Sequence, residues 1–595
     1  MSIAPEKMEE GQKLSNFSWE SVSMNVKVGK QDKKILDGIS GTLRGGEVCA
    51  LMGPSGAGKT SLLNVLAGRV RSRGNVKVDG SILLDNLPIS GSALRKRIAY
   101  VMQQDILTPT QTVRESLWFS ANLRLPKSYS RKEKEELVEK TLKELGLEKC
   151  ADTYIGDDMI RGVSGGEKKR TCVGIELIMK PKLIFLDEPT SGLDSYAAHN
   201  VVMRLKDMAA HDGCNVLCTI HQPSSEVFHQ FNSVMVLRSG KRFYFGPLSG
   251  LSTSLHAAGK GCPNEFNLAD HVMFVLQTES SEALDKIEMQ MQEATPASQH
   301  PEMPHDKSVM TMKLEGAHAG FFTQLAALTK REFQNVYRDK AGLIASILVP
   351  LILNVFFALI FFQVGNIDRS EWTAQAHFGG MTQVAIGGMF GAAQPLLLKF
   401  PLDRGIFLRE YATQTYGAAP YFISKSMVEL SLSFCRTFPI SALQKCIGIA
   451  LLSANQRYVL IFWITGVAAA STALLVGCLA ANPEVAQQAA PAVFVPQLLF
   501  AGFFIQSEQI PVWLRWAQYL CALKYGMNLN IMNEFGTDVI QDWPVQKQAM
   551  VSGLIENNNI NPDHGWLYAG VLIGIIVVVR LLSVVALAKR AAAFF

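Results

Sequence analysis

Charge is scarce in this chain, and cysteine pairing is not signalled in it. Asp, Glu, Lys and Arg make up 18% of the 595 residues against 48% hydrophobic ones, an apolar balance for a protein surrounded by water. The net charge of +5 is small for the length and excludes the basic footprint of a nucleic-acid binder. Ten cysteines are scattered with no C-x-x-C pair, so neither a zinc site nor a disulfide framework is indicated. The opening MSIAPEKMEEGQK has no apolar core and hence no cleavable secretory signal, which places the first domain in the cytosol. A chain of 595 residues exceeds what one hydrophobic core serves, so two or more domains are expected. The charge that exists is uneven: dense before about Lys340, thin after it.

Two short stretches organise the charged half. GPSGAGKTS at residues 53–61 has the form G-x-x-x-x-G-K-[ST], follows the apolar run 48–52 and precedes a helical pattern at 62–67. Gly53, Gly56 and Gly58 allow a tight turn, so that Gly53, Pro54, Ser55, Gly56, Ala57, Gly58, Lys59, Thr60 and Ser61 form a phosphate cradle. Lys59 is expected at the β- and γ-phosphates and the Thr60 hydroxyl on magnesium. VSGGEKKR at 163–170 reads as a helix start, where Ser164, Gly165, Gly166 and Glu167 offer free N–H groups to an anion. One domain cannot wrap one nucleotide with both loops, so two domains facing each other are implied.

Around these, residues 15–270 alternate strands and helices. The apolar runs 48–52, 183–186 and 216–220 read as buried strands, and each meets polar residues at its C-terminal end, where open α/β sheets place ligands. The run 183–186 ends in Asp187 and Glu188. Adjacent carboxylates suit ATP hydrolysis: Asp187 for the magnesium shell, Glu188 as the base that polarises water. Gln103, in YVMQQD, lies between the lysine loop and the acidic pair. Asp194 closes the polar turn 191–194, and His221 stands at a strand end where it could sense the γ-phosphate. Phe17 and Trp19 are the nearby candidates for stacking on adenine.

Six such motifs in this order resemble an ATP-binding-cassette protein. The resemblance makes 53–60 the Walker A loop, Gln103 the Q-loop glutamine and a further magnesium contact, and 164–167 the signature. It makes Asp187 and Glu188 the Walker B end with its catalytic glutamate, 191–194 the D-loop, and His221 the switch histidine. It implies ATP and Mg2+ as cofactors and two cassettes dimerised head to tail, the signature of one over the γ-phosphate bound by the other.

Past Asp270 the pattern loosens. Residues 279–316, rich in Glu, Gln, His, Pro and Met, read as a mobile linker. Phe321, Leu325, Leu328, Phe333 and Val336, interleaved with Lys330, Arg331, Arg338 and Lys340, read as an amphipathic helix on the membrane surface or packed on the next segment. Six apolar stretches of spanning length follow, at 342–364, 376–398, 421–441, 458–480, 485–505 and 566–587. Basic residues before the first, between the second and third, and after the sixth place both termini in the cytosol. Residues 506–565 are expected to face outward, with Cys521 alone and no N-x-[ST] sequon. Glu429, Arg436 and Arg580 fall inside spans, where charge is costly in lipid and is expected to face the bundle or its cytosolic boundary.

The expected fold is therefore an α/β P-loop domain of ABC type followed by an all-α domain of six transmembrane helices. Its divisions are an ATPase domain at 1–275, a linker at 276–318, a connecting helix at 319–341 and the membrane domain at 342–595. A cassette placed before six spans resembles the G subfamily, the white-type half-transporters. FPLDRGIFLREY at 400–411 resembles that subfamily's first intracellular loop, and 510–526 with 533–535 resembles its external segment before the last span. Leu268 stands where a proline is usual, and the external cysteine set of some vertebrate members is missing. The resemblance implies a homodimer or a heterodimer with another half-transporter, a multi-pass protein of the plasma membrane or an organelle membrane in contact with lipid, and export of a lipophilic small molecule. It implies substrate contacts at Phe390, Phe494, Val495 and Leu498, with Phe503 and Phe504 as an apolar plug. Arg404, Arg409 and Glu410 would couple cassette to bundle by touching the cassette. The competing reading is a non-pumping ATP-gated channel or regulatory subunit; intact Glu188 and His221 argue against it.

Overall fold

A computed structural model describes residues 16–294, 319–446 and 455–594, apart from 71, 86, 89–97, 265, 369, 503, 506–508, 537–539 and 542. The chain divides into two compact units: the described residues up to Ala319 with Ala412–Thr415, and Gly320–Tyr411 with Tyr416–Phe594.

The first unit is built on a six-stranded sheet. Its strands in chain order are β3 (Val48–Met52), β6 (Ile98–Val101), β7 (Leu183–Leu186), β8 (Asn215–Thr219), β9 (Ser233–Arg238) and β10 (Lys241–Pro247). The spatial order is β10-β9-β3-β8-β7-β6, parallel except for the edge strand β10. Every residue of β3, β7 and β8 is buried, which is why these stretches read as unbroken apolar runs. Successive side chains alternate between two cores. Val48, Ala50, Met52, Ile184 and Leu186 join the helical side, and Cys49, Leu51, Leu183 and Phe185 the other. That second face is covered by the antiparallel sheet β2-β1-β4-β5, of β1 (Phe17–Val28), β2 (Gln31–Leu43), β4 (Val76–Leu84) and β5 (Leu87–Pro88).

This packing corrects the adenine-stacking expectation. Phe17 and Trp19 sit at i and i+2 on β1, point to the same side and are buried in the core between the sheets, so neither presents a face to a ligand.

The helices of eight residues or more in this unit are, among the described residues, α1 (Lys59–Leu66), α2 (Val113–Arg124), α3 (Arg131–Glu144), α4 (Gly165–Leu177), α5 (Ser195–Asp212), α6 (Leu248–Ala257), α7 (Leu268–Thr278) and α8 (Ser281–Ala294). The last corrects the linker. Leu284, Ile287 and Met291 form a buried stripe at i, i+3 and i+7. Arg238 reaches the Asp285 carboxylate at 2.7 Å and the Ser281 hydroxyl at 2.7 Å. The ordered part of this unit thus runs past the expected boundary at 275; the rest of the expected linker, 295–318, lies outside the described residues.

The second unit is helical: α9 (Phe321–Arg338), α10 (Lys340–Ile360), α11 (Ala374–Ala412), α12 (Ala418–Cys446), α13 (Asn455–Leu479), α14 (Pro483–Leu499), α15 (Ala522–Phe535), α16 (Val545–Asn557) and α17 (Gly565–Phe594). Six of them coincide with the expected spans. Among the described residues, four helices are by length and composition apolar enough to cross a membrane: Lys340–Phe357, Ala374–Ala412, Arg457–Leu479 and Pro562–Ala592. Helix α12 carries Lys425, Glu429 and Arg436, and α14 has only 17 residues with two internal prolines.

Two further expectations are revised. The connecting helix α9 takes the packed alternative on one side: Leu328, Arg331 and Glu332 are buried, while Phe322 and Tyr337 on the other side are exposed. The stretch 400–411 is not a loop but the continuation of α11, which runs 39 residues through Pro395 and Pro401. Within 506–565, α15 is buried along most of its length. A Cβ on Gly526 would lie 2.3 Å from the Thr465 hydroxyl of α13, so only glycine permits that approach.

Candidate functional site

The phosphate loop, Gln103 and the acidic pair converge at the C-terminal edge of the six-stranded sheet. The Walker-type loop leaves β3 with Gly53, Gly56 and Gly58 at φ 147°, 78° and 98°, conformations that a side chain resists. A Cβ on Gly53 would also sit 2.4 Å from the Leu237 carbonyl. Lys59, nine-tenths buried, donates to the Gly53 and Pro54 carbonyls at 2.7 and 3.0 Å, folding its ammonium back over the loop. Burial lowers the pKa of that ammonium, with Glu188 and Asp187 pulling in the opposite direction.

Asp187 and Glu188 follow β7. The Asp187 Oδ1 accepts from the Thr60 hydroxyl at 3.2 Å and the Thr219 hydroxyl at 2.7 Å. Burial raises the carboxyl's pKa, and these two hydroxyls partly offset it. Glu188 stands at φ 49°, a left-handed conformation rare for a residue with a Cβ, and its N–H is held by the Thr219 hydroxyl at 2.7 Å. Gln103, just beyond β6, donates its amide to Glu188 Oε2 at 2.8 Å. Lys59, Thr60, Gln103, Asp187 and Glu188 are thus drawn together. His221 lies exposed two residues beyond β8.

Ser164 caps α4. Its hydroxyl accepts from the Glu167 N–H at 3.3 Å, and the Glu167 carboxylate accepts the Ser164 N–H at 2.8 Å. Burial pushes the Glu167 carboxyl up, but hydrogen bonds from Ser164 and Cys150, with the charge of Arg170, together hold it below the usual range. Ser164, Gly165 and Gly166 border an opening of 570 Å³ shared with Arg170, Asp194 and Asn200. Asp194 is committed to capping α5 through the Ala197 N–H at 2.7 Å.

In the helical unit a groove of 660 Å³ lies between α10 and α11, lined among others by Pro350, Asn354, Gln383, Gly387 and Gly391. Of the expected substrate contacts Phe390 lines it. Phe494 is buried in the core, 5.9 Å from the Phe390 ring; Val495 and Phe504 are exposed and Leu498 packs on the core. Phe503 lies outside the described residues.

Of the expected coupling charges, Arg404 and Glu410 are buried within the helical unit. Arg404 is buried and donates to the carbonyls of Gly477, Ala480 and Ala481 at 3.0, 2.6 and 2.6 Å, closing the C-terminal end of α13. Glu410 is buried against Arg331 Nη1 at 2.7 Å and the Tyr416 hydroxyl, with Arg409 at 3.8 Å. Lys425 joins Glu332 at 2.7 Å and Asp403 at 2.5 Å. Of the span charges, Arg580 bonds Glu429 at 2.6 Å and the Ser471 hydroxyl at 2.9 Å, facing the bundle interior.

Thr219 and Arg331 escaped the sequence reading. Thr219 is a hydroxyl one residue short of the end of an apolar run, a signal that was there to find. Arg331 looked like one cation among several on an amphipathic helix.

The family described as ABC transporter matches residues 36–191, and the one described as ABC-2 type transporter matches residues 323–535. The mouse "Broad substrate specificity ATP-binding cassette transporter ABCG2" is 31% identical over 85% of this chain and 80% of its own. "ABC transporter G family member 7" of Arabidopsis thaliana is 30% identical over 87% of this chain and 73% of its own. The chain belongs to the ABC transporter G family. "Protein white" of Drosophila melanogaster is 31% identical over 84% of this chain and 75% of its own. This G-family chain is an integral membrane half-transporter that binds ATP and couples its hydrolysis to transport. The matched cassette region includes Asp187 and Glu188, and the matched membrane region takes in α10 through α15.

Proposed function

We propose that the chain is an ATP-driven exporter of lipophilic small molecules that works as a dimer. The observation that carries the reading is the contact of Gln103 with Glu188 beside the Thr60–Asp187–Thr219 cluster. It joins a phosphate loop, a metal-binding edge and a candidate base within one hydrogen-bonded group. Mg2+ fits there: Thr60, Asp187 and Gln103 offer hard oxygens, and among the described residues no cluster of His, Cys, Asp and Glu forms a cage that would favour another metal. The ion would neutralise phosphate charge during hydrolysis. Lys59 and the loop N–H groups bind the phosphates, Glu188 takes the proton of the attacking water, and His221 contacts the γ-phosphate.

Two copies, identical or of two related half-transporters, pair head to tail so that Ser164–Gly166 of one completes the site of the other. The four long apolar helices span together with α12 and α14, with both termini cytosolic, in a plasma or organelle membrane. The groove beside Gly387 and Gly391 supports a lipophilic substrate, because its walls are apolar and the amides of Asn354 and Gln383 provide a few polar contacts.

A Cβ on Gly391 would meet Pro350 at 3.5 Å, ordinary contact, so a larger residue is tolerated and extends into the groove. Gly391→Leu is therefore expected to leave basal ATPase unchanged and to weaken stimulation by lipophilic compounds about tenfold. ATPase assays over a compound panel in liposomes check this. Unchanged stimulation by every active compound removes the groove from the substrate path.

A further inference from the structure

Five residues beyond the signature serine, Lys169 of α4 is 2% exposed and among the largest fully buried side chains of the protein. A buried ammonium is costly unless paired and hydrogen-bonded, and an apolar residue would fill the same space more cheaply. Among the described residues, the hydrogen-bond and ion-pair partners of Lys169 come from the turn after β6. Its Nζ donates to the Gln103 carbonyl at 2.9 Å and lies 3.5 Å from the Met102 carbonyl, and it pairs with Asp105 Oδ1 at 3.0 Å. The residue whose carbonyl it holds is the one whose amide reaches Glu188 at 2.8 Å. Two hydrogen bonds therefore connect the helix that begins at Ser164 to the base.

We propose that Lys169 is a positioning residue: it fixes the Q-loop turn, and through Gln103 it sets where the Glu188 carboxylate stands. A displacement of α4 is then transmitted to the base. In a head-to-tail dimer α4 would follow the partner's nucleotide while Glu188 serves its own, so Lys169 links the two sites. That second step rests on the pairing proposed above; the first does not.

The test is a double-mutant cycle on the purified full-length chain, with Lys169→Met, Gln103→Ala and both together. Lys169→Met is expected to keep ATP affinity within about twofold and to lower kcat about 10–100-fold, the scale of a misplaced catalytic group. Because both residues act along one path, the double variant should be no slower than Gln103→Ala alone. Wild-type kcat in Lys169→Met, or losses that multiply in the double variant, overturns the proposal. If Lys169→Met does not fold, Lys169→Gln, which keeps an N–H for the carbonyl, carries the same cycle. If neither folds, Lys169 is only a core ion partner and the proposal fails. The link between sites is read separately from the Hill coefficient for ATP, which should fall toward one in Lys169→Met. An unchanged coefficient above one alongside a non-additive cycle overturns that step alone, and a failure of transport touches neither readout.

Discussion

Glu188→Gln is expected to bind ATP as the wild type does and to lose about 10²–10⁴-fold in steady-state hydrolysis, the usual worth of a general base. The geometry makes this substitution clean. Glutamine keeps the length of the side chain and an oxygen that can accept from Gln103, now at 2.8 Å. The left-handed backbone at φ 49° and the N–H bond to Thr219 belong to the main chain and are untouched. What changes is the ability to take a proton. Phosphate release and a fluorescent-nucleotide titration on the same preparation separate the two effects. Hydrolysis near the wild-type rate would take the base away from Glu188.

Glu410→Ala should destabilise the protein by about 3–5 kcal/mol, because it takes the closest counter-charge from a buried guanidinium and does not merely remove a contact. Arg331 has 3% of its side chain exposed, and its guanidinium bonds Glu410 at 2.7 Å and the Tyr416 hydroxyl at 3.3 Å. Without the carboxylate the cation stays buried and loses its closest counter-charge, with Glu332 acting on it more weakly. Replacing both members, as Arg331→Met with Glu410→Leu, should recover most of the loss, since an apolar pair of similar volume is often neutral relative to a buried ion pair. Unfolding midpoints in detergent decide the matter. A single variant as stable as wild type would mean that the pair adds nothing to the fold. The two variants also separate stability from coupling: a stable double variant that hydrolyses ATP but no longer transports would give this pair a signalling role as well.

Legibility followed burial. The strand Leu183–Leu186 could be read directly because both faces are covered, and an apolar run ending in two carboxylates leaves few other interpretations. The phosphate loop was equally plain, since its glycines are set by local backbone geometry. Other features depend on partners far along the chain. Arg404 finds its carbonyls 73 to 77 residues away, and nothing local distinguishes it from a solvated loop cation. Pro395 and Pro401 argue locally against a helix that α11 nevertheless continues, each proline costing a hydrogen bond that packing offsets. Helix α8 was hidden because Leu284, Ile287 and Met291 supply about one apolar residue per turn among Glu and Gln. Phe17 and Trp19 looked available because a strand shows which residues share a side, not which side faces the core.

The central claim is that hydrolysis at the Glu188 site drives movement of a lipophilic substrate. Purified chain is reconstituted into liposomes, ATP is supplied outside, and a fluorescent lipophilic probe inside the vesicles is followed. Vesicles with the cassette outward should accumulate probe with ATP and Mg2+, and should fail to do so with a non-hydrolysable analogue or with Glu188→Gln. Accumulation that proceeds without ATP, or equally well in Glu188→Gln, would contradict the account.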